Sequence, residues 1–210
     1  MYFCFNSLKN IRMKKILLSL IMSLLTVCVI ATKPHINYVK VDTDASTIKW
    51  KGSKITESHE GIIRLRSGVL AFDHGKFVGG EFVINMATIK CTDIESEKKR
   101  KYLEDHLKDE DFFNVDKFNT STLKIKNAKL VDDSHYKVES DLTIKGITHQ
   151  ITFATDIRMK GSEVGAAAKI KIDRTKWDIT YKSGSIFKDL GDKIILDEIE
   201  FEIDLIAGRR

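Results

Sequence analysis

Residues 198–205, EIEFEIDL, alternate without a break: Ile199, Phe201, Ile203 and Leu205 stand opposite Glu198, Glu200, Glu202 and Asp204. Successive side chains of a strand point to opposite faces, so this stretch reads as a strand with one apolar and one charged face. The same period recurs upstream. Ile48, Trp50 and Gly52 alternate with Lys49 and Lys51; Phe82, Ile84 and Met86 follow Gly79-Gly80; Leu123 and Ile125 alternate with Lys124 and Lys126. Val138, Leu142 and Ile144 share a face. So do Ile151, Phe153, Thr155, Ile157 and Met159, and then Val164, Ala166, Ala168, Ile170 and Ile172. Turns rich in Gly, Asp, Ser and Lys separate several of these runs. Only residues 94–107 have helical character. They are dense in Glu, Lys and Arg, with Ile94, Tyr102 and Leu107 as sparse apolar contacts.

A chain of one-sided strands must bury its apolar faces and protect its edges. An all-β antiparallel barrel of about eight strands with one helix does both; a two-sheet sandwich is the competitor. A barrel of that size fills its interior with side chains or encloses one small ligand. The small residues Gly52, Ala166 and Ala168 at inward-type positions point to an unfilled interior.

Residues 1–31 read as a secretory signal peptide. Lys14-Lys15 precede an apolar run that ends at Val29-Ile30-Ala31, a cleavage-site pattern. The run is shorter than the ~20 residues of a spanning helix. The expectation is therefore a single periplasmic or secreted domain, residues 32–210, with no membrane span after cleavage. The whole chain carries 35 Lys and Arg against 30 Asp and Glu. Lys9, Arg12, Lys14 and Lys15 leave with the leader, so the mature chain keeps 31 against 30. That balance excludes a nucleic-acid footprint, which needs a basic surplus on one face. Cys4 and Cys28 lie in the leader. Cys91 is then alone, without an internal disulfide partner, and reads as a small buried hydrophobe.

Chemistry-bearing residues are few. None of the six histidines pairs with another at metal-ligand spacing, so no local metal motif and no cofactor is expected. Ser183-Gly184-Ser185 is a turn that lacks the nucleophile-elbow pattern. No catalytic residue is assigned. Arg174 is a candidate for an anionic head group, because a guanidinium pairs with phosphate through two bonds. Its competing reading is a salt bridge with Asp173 or another barrel-end acid. His59, beside Glu60, suits a head group, a metal or a strand-end hydrogen bond.

Several motifs recur together: Ser46–Lys54 (STIKWKGSK), His59-Glu60-Gly61, residues 106–118 (HLKDEDFFNVDKF), residues 141–148 (DLTIKGIT) and Asp173–Trp177 (DRTKW). In order and spacing they resemble the YceI-like, polyisoprenoid-binding family from about Tyr38 to Ala207. Asn119, Ser140 and Asp178 depart from the family pattern at turns. The resemblance implies an extended lipocalin-like barrel that holds an amphiphilic isoprenoid or other lipid-like chain, such as a quinone or a polyprenyl phosphate, and is not an enzyme. The expected lining is Trp50, Phe82, Ile84, Phe112, Phe113, Leu142, Ile144, Phe153, Ala168, Ile170, Phe201 and Ile203. Phe112 and Phe113 either gate an entrance or plug the barrel end. The alternatives are a hydrolase or isomerase acting on a lipid-like substrate, and a structural envelope stress protein with a packed core. A homodimer is left open.

Overall fold

The computed structural model describes residues 35–208. The signal peptide expected over residues 1–31 lies outside them. Eight strands among the described residues follow one another as β1 (Ile36–Lys54), β2 (Ser58–Asp73), β3 (Lys76–Cys91), β4 (Thr120–Asp132), β5 (His135–Ile144), β6 (Ile147–Lys160), β7 (Glu163–Asp173) and β8 (Ile195–Ala207). Each pairs antiparallel with its neighbour in sequence, and β8 returns to pair with β1, closing a barrel. One α-helix, α1 (Glu97–Lys108), stands between β3 and β4.

Closure depends on a corner in β1. Its register shifts between Lys40 and Ile48 against β2, and between Asp42 and Thr47 against β8. Ser46 fills the corner: its Oγ donates to Asp42 O at 2.6 Å and accepts from the Ile206 N–H at 3.0 Å. The bent backbone thus keeps its polar groups paired, as buried main chain must. β2 is a strand that simple alternation passes over. Its buried residues run Ile63 and Leu65, then Leu70 and Phe72, so the inward parity changes midway. The register shift between Leu65 and Ser67 is the cause, because one extra residue turns every later side chain to the other face.

β8 shows the alternation at its simplest. Its acids sit outside: Lys171 reaches Glu198 at 2.8 Å, and Lys49 and Lys169 approach Glu202 at 3.7 and 3.8 Å. These exposed pairs add little stability but mark the wet face. Met159 shares the parity of Ile157 yet is 54% exposed, near the end of β6. α1 begins at Glu97. It turns Leu103 and Leu107 to the barrel, while Tyr102 is 74% exposed, so the apolar contact expected of Tyr102 falls to Leu103.

The two barrel ends differ. Short turns at His74-Gly75, Asp133-Ser134 and Gly161-Ser162 close one end, where Phe77 packs edge-on to Tyr136 at 5.4 Å and against Phe72 at 5.8 Å. The other end carries the long connections, including α1 and the 3-10 turns Arg174–Trp177 and Gly191–Lys193. At that end Lys145 and Gly146 join β5 to β6 with φ of 49° and 75°, as a two-residue hairpin turn requires. A Cβ on Gly146 would stand 3.1 Å from Phe118 Cε1, so the Lys-Phe and Lys-Gly motifs meet in space. Gly146→Ala is expected to lower unfolding free energy by about 1–3 kcal/mol in urea titration. Gly52→Ala, whose Cβ would meet nothing within 4 Å, is expected to stay within about 0.5 kcal/mol.

Candidate functional site

The inward faces of the strands surround a cavity of about 220 Å³. That is far more room than a single water needs. Its wall is almost entirely carbon. β1 supplies Trp50; β3 supplies Phe82 and Ile84; the loop after α1 supplies Phe112 and Phe113. Leu142 and Ile144 come from β5, Phe153 from β6, Ala168 and Ile170 from β7, and Phe201 and Ile203 from β8. All twelve residues of the expected lining therefore border one space. The wall also includes Ile63, Leu65 and Leu70 of β2, hidden from the sequence by the register shift, and Leu103 and Leu107 of α1.

Packing is uneven along the barrel. Phe77, Leu70 and Val138 are buried toward one end, and Trp177, Ile179 and Phe112 toward the other. Between them, Ile84, Leu142, Ile151, Phe153, Phe201 and Ile203 face inward yet are only half-buried. Cross-strand pairing explains this belt. Ile203 lies between Ile48 and Ala168, and Ala168 in turn opposes Thr155, so two small side chains follow one another around the wall. The half-burial measures empty space, because an inward side chain in a filled core has no accessible surface left.

The loop end is built from aromatic rings. Phe112 is 6% exposed and packs with Ile144, Ile170 and Trp177. His106, Phe112 and Tyr181 form a ring cluster with centroids 4.8 to 5.5 Å apart. Trp177 is anchored by donating its indole N–H to Leu142 O at 3.2 Å. Phe113, half-buried beside it, also borders the cavity. Polar groups reach the cavity at this same end through Ser53, Lys54, Glu57, His59 and Arg174.

Arg174 is 1% exposed, and each of its three nitrogens is engaged. Nε bonds Leu196 O at 3.1 Å, one terminal nitrogen bonds Ile179 O at 2.6 Å, and the other bonds Ile195 O at 2.9 Å and lies 3.4 Å from Asp197. Burial pushes its pKa down, while Asp197 and Asp173 hold it up. The guanidinium thus clamps the 174–197 segment over the barrel end, and the barrel-end acid it meets is Asp197. In the same segment Ser183 Oγ lies 2.9 Å from Ser185 Oγ, which donates to Asp197 Oδ2 at 2.5 Å. This turn is pinned by hydrogen bonds.

His59 sits at the start of β2 with Nδ1 3.1 Å from Asp93 Oδ2. Asp93 Oδ1 accepts from Cys91 Sγ at 2.9 Å. Burial raises the Cys91 pKa, and the bond to Asp93 raises it further, so the thiol keeps its proton. Burial opposes ionisation of Asp93, but bonds from Cys91, His59 and the Glu60 backbone outweigh it and hold the carboxyl below its ordinary value. His59 thus makes a hydrogen bond at a strand end. The Asp93 and Cys91 partners, far from it in sequence, carry no local spacing signal.

A family model described as the YceI-like domain matches residues 39–207. The chain belongs to the YceI-like family. A UPF0312 protein of Staphylococcus aureus (strain USA300) is 32% identical over 123 residues, 55% of this chain and 66% of its own length. The match thus spans just under two thirds of that relative. Among solved structures, Burkholderia cenocepacia BcnA superposes with a TM-score of 0.66 at 21% identity, covering 80% of this chain and 99% of BcnA. A polyisoprenoid binding domain from Saccharophagus degradans, implicated in plant cell wall breakdown, gives 0.60 at 13% identity, covering 85% and 100%. A Campylobacter jejuni YceI protein gives 0.55 at 19%, covering 90% and 95%. These likenesses establish the YceI-like barrel.

Because Arg174 is clamped to carbonyls, replacing it with methionine strands three acceptors and Asp197. Arg174→Met is expected to cost about 3–5 kcal/mol in denaturant unfolding. Full stability with only ligand affinity reduced would instead mark Arg174 as a head-group residue.

Proposed function

We propose that this YceI-like barrel binds an amphiphilic isoprenoid or another lipid-like chain in its interior, and that it serves as a periplasmic or secreted carrier or sequestering protein. The half-buried belt formed by Ile84, Leu142, Phe153, Phe201 and Ile203 carries the reading: these apolar side chains pack against the core on one side and still border the open interior on the other. A flexible hydrocarbon chain supplies the missing contacts. Each Å² of apolar surface it removes from water, on ligand or wall, stabilises the complex by roughly 25 cal/mol. The polar groups at the loop end of the barrel suit the other part of an amphiphile, since apolar pockets orient ligands through a few such groups. The structural neighbour from Saccharophagus degradans, described as polyisoprenoid binding, supports the ligand class.

The hollow belt also weighs against a structural protein whose barrel is fully packed. A hydrolase or isomerase would need an activated group on the cavity wall. Arg174 is committed to carbonyls, and the other charged groups on the wall, Lys54, Glu57 and His59, gather at the loop end. Export rests on the leader pattern of residues 1–31.

Mass spectrometry of organic extracts from protein purified from its native source tests the binding. An isoprenoid or lipid-like chain at near one equivalent is expected, and repeated empty extracts would overturn it. Ala168→Phe inserts a ring into the belt. It is expected to leave the unfolding temperature close to that of the wild type and to reduce the recovered ligand at least ~10-fold, by removing space at about 1.4 kcal/mol per tenfold of affinity.

A further inference from the structure

His59, Cys91 and Asp93 come together because β2 and β3 are neighbours: Gly61, two residues past His59, pairs with Cys91 across the ladder. One nitrogen, one sulfur and one carboxylate oxygen from these residues all lie within 4.8 Å of one another. The geometry points to a site for one zinc-class divalent cation, bound by His59 Nδ1, Cys91 Sγ and Asp93. This site does not depend on what the barrel cavity holds.

The spacing suits such an ion. Zinc takes sulfur at ~2.3 Å and nitrogen or oxygen at ~2.0–2.2 Å in tetrahedral sites, so its ligand atoms stand roughly 3.3–3.8 Å apart. Here Nδ1 and Oδ2 are 3.1 Å apart, and Sγ and Oδ1 are 2.9 Å apart. The two contacts use different oxygens of Asp93, so an ion drawing all three side chains onto one centre opens both of them while keeping the ligand atoms inside the 4.8 Å they already share. A thiolate, an imidazole and a carboxylate form a donor set for zinc or its neighbours; calcium and magnesium prefer oxygen alone.

Outer groups already hold the ligands. His59 Nε2 faces Glu57 Oε2 at 4.0 Å, and Glu57 is fixed by Lys54 at 2.6 Å. A histidine that gives one nitrogen to a metal commonly directs its other N–H to a carboxylate. The Cys91 N–H donates to Glu104 Oε1 at 3.0 Å, which ties the thiol to α1. The Thr92 N–H donates to Glu60 O at 2.9 Å and fixes the backbone between Cys91 and Asp93. On binding, the Cys91 S–H bond breaks, a sulfur–metal bond forms and the proton passes to solvent. The three protein ligands leave one tetrahedral position for water, and His59 places the site on the cavity wall.

The test uses the full chain, stripped with a chelator and titrated with Zn2+ by calorimetry and with Co2+ by absorbance. One Zn2+ per chain is expected, with a thiolate-to-cobalt charge-transfer band. Cys91→Ser and His59→Gln should each remove the band and weaken Zn2+ binding at least ~10-fold. Cys91→Ser leaves any cysteine of residues 1–31 unchanged, so loss of the band in that variant reports Cys91. Unfolding temperatures in chelator confirm that the variants fold. No saturable Zn2+ binding or no band in the wild-type chain would overturn the proposal, whatever the variants do. So would binding that persists unchanged in both variants.

Discussion

The pairing of β1 with β8 is the contact on which the barrel depends. Without it, two long strands would each present unpaired N–H and C=O groups along an edge, open to any other strand. Pairing requires β1 to face β2 on one side and β8 on the other, and a straight strand of 19 residues does not do so along its whole length. The corner at Asp42–Ser46 solves this, and Ser46 carries the hydrogen bonds that the bent ladder gives up. Closure also sets the interior. Eight strands make a ring whose centre side chains only just reach. Small residues such as Ala168 and Thr155 on adjacent strands then leave space in the middle, while aromatic residues fill both ends.

The contrast between middle and ends organises the rest of the molecule. Phe72, Phe77 and Tyr136 seal the end with short turns. At the other end the long connections add a second layer: Trp177 and Phe112 pack inward, and Arg174 holds the strap by its carbonyls. The pair at Phe112 and Phe113 divides its labour, with Phe112 buried in this layer and Phe113 beside it against the cavity. Charged groups concentrate on the outer wall, where Lys and Glu alternate across β1, β7 and β8. The fold thus keeps an apolar interior without a net apolar exterior.

Where a strand keeps one phase from end to end, its inward residues are legible in the sequence. β8 does, and Phe201 and Ile203 stand where alternation puts them. β2 changes phase between Leu65 and Ser67, so Ile63, Leu65 and Leu70 never form one periodic set. The Lys145-Gly146 turn is legible too, but the contact of Phe118 with Gly146 is not, since it joins two connections distant in sequence. Arg174 shows the same limit for charge. Its type suits an anion, yet three carbonyls of its own strap claim it. The grouping of His59 with Cys91 and Asp93 arises from strand pairing and leaves no trace in local spacing.

An interior left empty by its own side chains is the central claim. Xenon binds apolar cavities that water leaves empty. A crystal structure of delipidated protein under xenon pressure should show xenon between Phe153, Ala168 and Ile203, with the rings of Phe153 and Phe201 against the wall. No xenon there, with those rings packed across the barrel, would contradict the account.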